Sequence, residues 1–436
     1  MLRWNLALVG AVMLNPVALA QTAPPTAVES EPGKLMLMQG FPVPPAAQVR
    51  WDDQSMWDFP KTRWSFSHMR ELLPTVAIHR GAPAKLFPRA ERSGLDALRF
   101  ATLDGRTMTW RESLDANYTD GIVVLHRGRI VYERYFGAFG PADQHIAMSV
   151  TKSFIGTLAE TLIARGKLDP DRTAASYVPE LAASGFGDAT IRQLLDMRIG
   201  LDYTEDYNGM GTRMSDVTRM VIALGWRPRP AGYDGPDGGY AYAASLKKDG
   251  EHGGGFVYRT PISMALGWVL ERITGKPLAQ QIEQQFWSPM GMEQEANLSV
   301  DRMGTAFAGG GLSASLRDMA RFGEMIRLGG RWQGREIVPP AAIAAIVKGG
   351  DPAAFANVNY PGLDGGNYGS QWWHRPGGQI LALGVNGQGI YIDREAEMVI
   401  VRFASHPVAG NRANTPVTIP AYDAVATWLR ANDGKR

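Results

Sequence analysis

Ala147-Met148-Ser149-Val150-Thr151-Lys152-Ser153-Phe154-Ile155-Gly156 sets a serine and a lysine three residues apart at the start of an apolar run. On a helix that spacing brings both side chains to one face, near enough for the amine to receive the hydroxyl proton. The amine must be neutral to do so, and an apolar helix start helps, because desolvation and the positive end of the helix dipole both disfavour an ammonium ion. The same dipole favours negative charge developing beside Ser149. Taken alone, such a quartet also describes an N-cap serine followed by a solvent-facing lysine. The residues that follow decide between the two readings. Phe154, Ile155, Leu158, Leu162 and Ile163 recur at intervals of three and four up to Gly166, as in a buried helix.

Upstream, residues 121–136 read Gly-Ile-Val-Val-Leu-His-Arg-Gly-Arg-Ile-Val-Tyr-Glu-Arg-Tyr-Phe, two strand-forming stretches around Arg127-Gly128, which predicts a hairpin. Downstream, residues 388–392 and 398–403 form a second strand pair around Asp393-Arg394-Glu395. Helical spacing covers 266–273 before Gly275, 319–328 before Gly329-Gly330, and 420–431 at the end of the chain. Strands near both ends with helices between them predict an α/β (α+β) sandwich: an antiparallel sheet flanked by helices, with a mostly helical inserted lobe.

Over residues 121–403 the chain resembles the serine β-lactamase-related superfamily, which includes class C β-lactamases, penicillin-binding proteins, D-alanyl-D-alanine peptidases and related esterases. Its 6-aminohexanoate-dimer hydrolase-like branch is the most similar. The resemblance implies a β-lactamase/transpeptidase-like fold with Ser149 as the acylated nucleophile and Lys152 sharing proton transfer. The family's second motif falls on Tyr258-Arg259-Thr260, so Tyr258 is implied to protonate the leaving group, a role its chemistry permits if positive neighbours lower its pKa. Thr260 and Ile262 stand where asparagines are usual. The third motif falls on Ala382-Leu383-Gly384-Val385-Asn386-Gly387-Gln388 and lacks the usual lysine or histidine. With Gly384 on the motif glycine, the backbone N–H of Val385 would join that of Ser149 as an oxyanion hole. Asn386 would then present its amide to substrate. The missing cation argues against binding a β-lactam carboxylate. Tyr207 and Asp216 resemble substrate-contacting positions, and Trp373 beside Trp372 would wall the pocket. The turn Ala308-Gly309-Gly310-Gly311-Leu312-Ser313 reads as structural.

The rest of the chain narrows the function. Its 436 residues carry a formal net charge of +2, with 45% hydrophobic and 20% charged residues, which implies neither nucleic acid nor an acidic membrane surface as partner. There is no cysteine, so thiol catalysis, disulfides and thiolate metal sites are excluded, and none of the seven histidines has metal-ligand spacing. No Gly-x-Ser-x-Gly elbow occurs. Residues 1–20 read as a signal peptide, with Arg3, an apolar run from Leu6 to Leu14 and a cleavage signal at Ala18-Leu19-Ala20, which predicts export to the periplasm or medium without a remaining membrane anchor. Residues 21–95 are expected to form a leader, its Pro-rich start disordered, and an extension along the body, and 96–436 the hydrolase domain. The expectation is a cofactor-free, metal-free serine hydrolase acting on a small amide or ester. The other class compatible with these residues is a non-catalytic penicillin- or peptidoglycan-binding module.

Overall fold

A computed structural model describes residues 23–81, 83–84, 86–207 and 214–432. The signal-peptide reading lies outside these residues. No described helix is long and apolar enough to cross a membrane.

The main sheet has seven strands, all antiparallel, in the order Asn367–Gly369, Trp372–His374, Ile380–Gly384, Gln388–Asp393, Met398–Ala404, Thr119–His126, Arg129–Tyr135. Both hairpins read from the sequence are present, and the C-terminal strand pairs with the N-terminal one in the register Val401↔Val123. Ile122, Val123, Val124 and Leu125 are all fully buried, without the alternation of a half-exposed strand, because helices cover both faces. Val150–Ala164 and Leu316–Arg327 lie on one face, where Phe154 stacks on Phe322 at 3.6 Å. On the other, Tyr422 of Thr415–Ala431 meets Tyr391 at 5.3 Å.

The C-terminal helix begins at Thr415, five residues before the expected Pro420. Proline in the first turn costs nothing, since that N–H would be unpaired anyway. Pro420 lies inside the helix and cannot bond back to the carbonyl of Pro416. That oxygen instead accepts the N–H of Leu103 at 2.9 Å, so the interior proline leaves no orphan acceptor there.

A second sheet orders Thr75–Ile78, Ala296–Ser299, Leu312–Ala314 and His145–Ile146. Its first strand comes from the segment expected to be an extension, and earlier residues are also built in. The expectation of a disordered start is corrected for the described part. Ala27, Ser30, Leu37 and Val49 are buried, and Tyr118 donates its hydroxyl to the Pro25 carbonyl at 3.1 Å. Scattered apolar side chains find core contacts, while the prolines reduce the chain entropy lost on ordering.

Candidate active site

His145–Ile146 leads directly into the turn that carries Ser149, and the N–H of Ala147 donates to the Leu312 carbonyl at 2.7 Å. Met148 then takes a left-handed conformation, φ 48°, unusual for a side chain of its size. Ser149 follows in the right-handed region as N-cap of Val150–Ala164, but its hydroxyl makes no capping bond. The oxygen is left for Lys152, whose Nζ donates to Ser149 Oγ at 2.9 Å and to the Gly309 carbonyl at 2.5 Å. Thr151 pins the helix start to the second sheet, accepting the Leu312 N–H at 3.1 Å. Gly156 faces the backbone of Ser370 so closely that a Cβ would sit 2.1 Å from its oxygen, which is why the helix can press against the main sheet.

Lys152 is 1% exposed, and burial lowers its pKa to about 7, with the nearby Glu205 carboxylate acting in the opposite sense. This excludes a solvent-facing lysine. Half-buried Tyr258 lies with its ring centroid 5.1 Å from Lys152 Nζ and is stacked on Trp373 at 5.5 Å. Its phenol is not acidified by positive neighbours, as the sequence had suggested. Burial pushes its pKa well above 10, a hydrogen bond with Ser149 pulls the other way, and Glu205 and Tyr360 push it further up. The adjacent cation, Arg259, turns away and donates to the carbonyls of Tyr203 and Ile199.

Val385 follows Gly384, where a Cβ would meet the Ala147 oxygen at 2.6 Å, so only glycine lets this strand approach the Ser149 turn. Among the described residues, neither the Ser149 nor the Val385 N–H donates to a backbone carbonyl outside its own element.

Two cavities meet at this point, sharing Ser149, Tyr207 and Val385. The narrower, about 70 Å³, is lined by Trp57, Val221, Trp226 and Phe307 among others. The wider, about 480 Å³, contains Tyr258, Tyr360, Trp373, Asn359, Asn411 and Arg412.

The structure brings together most of the residues expected at a site, with three differences. Asp216 lines neither cavity; it begins the helix Asp216–Ala223, and its carboxylate accepts the Thr204 N–H at 2.9 Å, holding the strand of residues that carries Glu205 and Tyr207. Asn386 lines the narrow cavity, but its Nδ2 donates to the His406 carbonyl at 2.8 Å, so that amide hydrogen ties a loop down and is not offered to substrate. Trp372 packs in the core on Phe322, and Trp373 alone walls the wider cavity. The glycine-rich turn, read as structural, supplies the Gly309 carbonyl that orients Lys152. Glu205 accepts from both the N–H (2.8 Å) and Oγ1 (2.6 Å) of Thr260, which explains a threonine at that position. Among the described residues, no three His, Cys, Asp or Glu side chains are placed to hold a metal ion.

The antiparallel sheet with the helix that carries Ser149 and Lys152 defines the class, and a β-lactamase family model matches residues 116–419; the chain belongs to the β-lactamase family. It is 33% identical over 356 residues to the 6-aminohexanoate-dimer hydrolase of Paenarthrobacter ureafaciens, covering 81% of this chain and 88% of that one. A Bacillus anthracis structure provisionally named as a 6-aminohexanoate-dimer hydrolase superposes with a TM-score of 0.80 at 32% identity, covering 88% of this chain and 99% of that one. A family VIII carboxylesterase shares the fold, with TM-score 0.51 at 16% identity, over 72% of this chain and 96% of that one. The protein is thus a β-lactamase-fold hydrolase, of the amidase and esterase kind.

Proposed function

We propose that the protein hydrolyses linear amides or small esters through an acyl-enzyme on Ser149. The observation that carries this reading is the dry Lys152 amine 2.9 Å from the serine hydroxyl, with its pKa near 7. Neutral Lys152 takes the hydroxyl proton as Ser149 Oγ bonds to the substrate carbonyl carbon, and the N–H groups of Ser149 and Val385 receive the developing oxyanion. On collapse the carbonyl to leaving-atom bond breaks. The leaving nitrogen or oxygen takes the proton of Tyr258, which recovers one from Lys152. A phenol held neutral by burial suits donation, leaving Lys152 as base. Water then attacks the acyl carbon, giving its proton to the base, and the ester bond to Ser149 breaks as Oγ is reprotonated. The dimer hydrolase relatives support the amide class, and the lack of a third-motif cation favours linear substrates over β-lactams.

Intact-mass analysis after treatment with a fluorophosphonate is expected to show one adduct, absent in Ser149→Ala. A folded protein that takes up no label would reject the acyl-enzyme and leave the binding-module reading.

The pH profile offers a second check. Because the base must be neutral, kcat/KM is expected to fall below an apparent pKa of about 7. Glu205 raises the pKa of Lys152, so Glu205→Gln is expected to move this acid limb to lower pH. A shift upward, or none, would remove Glu205 from the electrostatics of the base.

A further inference from the structure

The site is asymmetric about its nucleophile, and the asymmetry assigns the two halves of a substrate. Tyr258 lines the wide cavity and not the narrow one. Its phenol has to reach the leaving atom, so the leaving group occupies the wide side and the acyl group the narrow one.

We propose that the narrow cavity is an acyl slot for a short, uncharged, apolar acyl group, and that Trp57 of the N-terminal segment sets its length. The inference rests on the Ser149 acyl-enzyme reading and goes beyond it in naming the acyl chemistry and a residue that selects it.

Three observations carry it. The slot is walled by an aromatic ladder: Trp57 stacks on Trp226 at 5.1 Å with planes 16° apart, and Trp226 meets Phe307 edge-on at 5.0 Å. Two of its three rings are anchored, since Trp57 Nε1 donates to the Trp226 carbonyl at 3.0 Å and Trp226 Nε1 to Ser299 Oγ at 3.1 Å. Indoles held by both ring packing and an N–H bond form a fixed wall.

The second observation is size. The slot offers about 70 Å³ against about 480 Å³ on the leaving-group side. At 10–15 Å³ for each water-sized group it has room for roughly five such groups. A longer chain would have to displace the Trp57 ring.

The third is charge. No carboxylate lines the slot among the described residues, and the one charged group there is the guanidinium of Arg227. Arg227 is buried, bonded to Gln54 of the N-terminal segment, and Asp58, which acts on it, is not a lining residue. An acyl chain ending in an ammonium group would lose its water beside a cation, while the Glu205 carboxylate is taken up by Thr260 and Tyr207 and lines the wide cavity instead.

The test uses the full-length protein and p-nitrophenyl esters of butanoic, hexanoic, decanoic and 6-aminohexanoic acids, comparing kcat/KM. For the native protein, butanoyl is expected to exceed decanoyl by at least about 10-fold, and hexanoyl to exceed 6-aminohexanoyl by at least about 10-fold, a factor of ten corresponding to one decade of differential transition-state binding. Trp57→Ala is expected to raise the decanoyl to butanoyl ratio by about 10-fold or more, with Trp57→Phe intermediate and preserving the aromatic contact if the alanine variant fails to fold. Equal or better turnover of the 6-aminohexanoyl ester, or an unchanged length profile in a Trp57 variant that still takes the fluorophosphonate label, would overturn the proposal. Absence of label in the native protein would instead overturn the acyl-enzyme reading on which it rests.

Discussion

Replacing Lys152 with methionine is expected to lower kcat/KM toward an activated ester by about 10²–10⁴-fold, the usual worth of a positioned proton acceptor. The same substitution should stabilise the fold. Between pH 7 and the ordinary lysine value of 10.5 the unfolded chain binds a proton that the folded chain does not, so native stability rises with pH across this window, by up to about 1.4 kcal/mol per pH unit. Below pH 7 both states are protonated and the full cost of the buried ammonium is carried. Methionine, similar in length and uncharged, removes that burden. Its advantage in urea midpoint is expected to be greatest near pH 6 and to shrink toward pH 10. A variant whose advantage is the same at both pH values would show that the amine is not the dry, proton-shedding group inferred here.

A second large effect is expected where the N-terminal segment is anchored to the main sheet. Arg63 of the N-terminal segment pairs with Asp120 at 2.6 Å, with both side chains at most 3% exposed, and it also donates to the Tyr118 carbonyl at 2.8 Å. Asp120 further accepts from Ser405 and from His145 Nε2 at 3.2 Å, while the His145 ring stacks on Phe403 at 4.7 Å. Arg63→Ala would leave a carboxylate buried among rings without its cation, at a cost of about 3–5 kcal/mol. Arg50→Ala, which breaks an ion pair about half exposed on both sides, should cost less than about 1 kcal/mol. Urea unfolding of both variants checks the contrast, and equal losses would mean that the segment carrying Arg63 is only loosely attached. Trp57 lies six residues before Arg63, so loosening that anchor should also blur acyl-chain selectivity.

Much of the fold was readable because its signals are local. The hairpin around Arg127-Gly128, the strand pair around residues 393–395 and the apolar period after Ser149 each announce themselves within about fifteen residues, and the structure contains all three. Ser149 and Lys152 were readable for the same reason. What escaped depends on distant partners or on atoms that carry no residue signature. Trp57 meets Trp226 across 169 positions, and nothing near Trp57 marks it as part of a pocket. The carbonyl of Gly309 would look the same in sequence on any residue. The state of Tyr258 was not legible because burial and the distant Glu205 and Tyr360 set it, and none of these is marked near Tyr258 in the sequence. Asp216 is polar and close to Tyr207 in sequence, yet a helix start placed its carboxylate on a backbone N–H outside both cavities.

The strand order of the main sheet has a bearing on how the molecule is made. The partner of Thr119–His126 on its inner side is Met398–Ala404, so the N-terminal hairpin emerges from the ribosome long before the strand that covers it. At 5–20 residues per second, that interval is about 15–60 s. Through it, an apolar strand offers unpaired backbone groups to any other chain within reach. The sheet is completed only once residue 404 has been made, and a nascent chain that stops short of residue 398 is left with the sticky half of the core and no means of closing it.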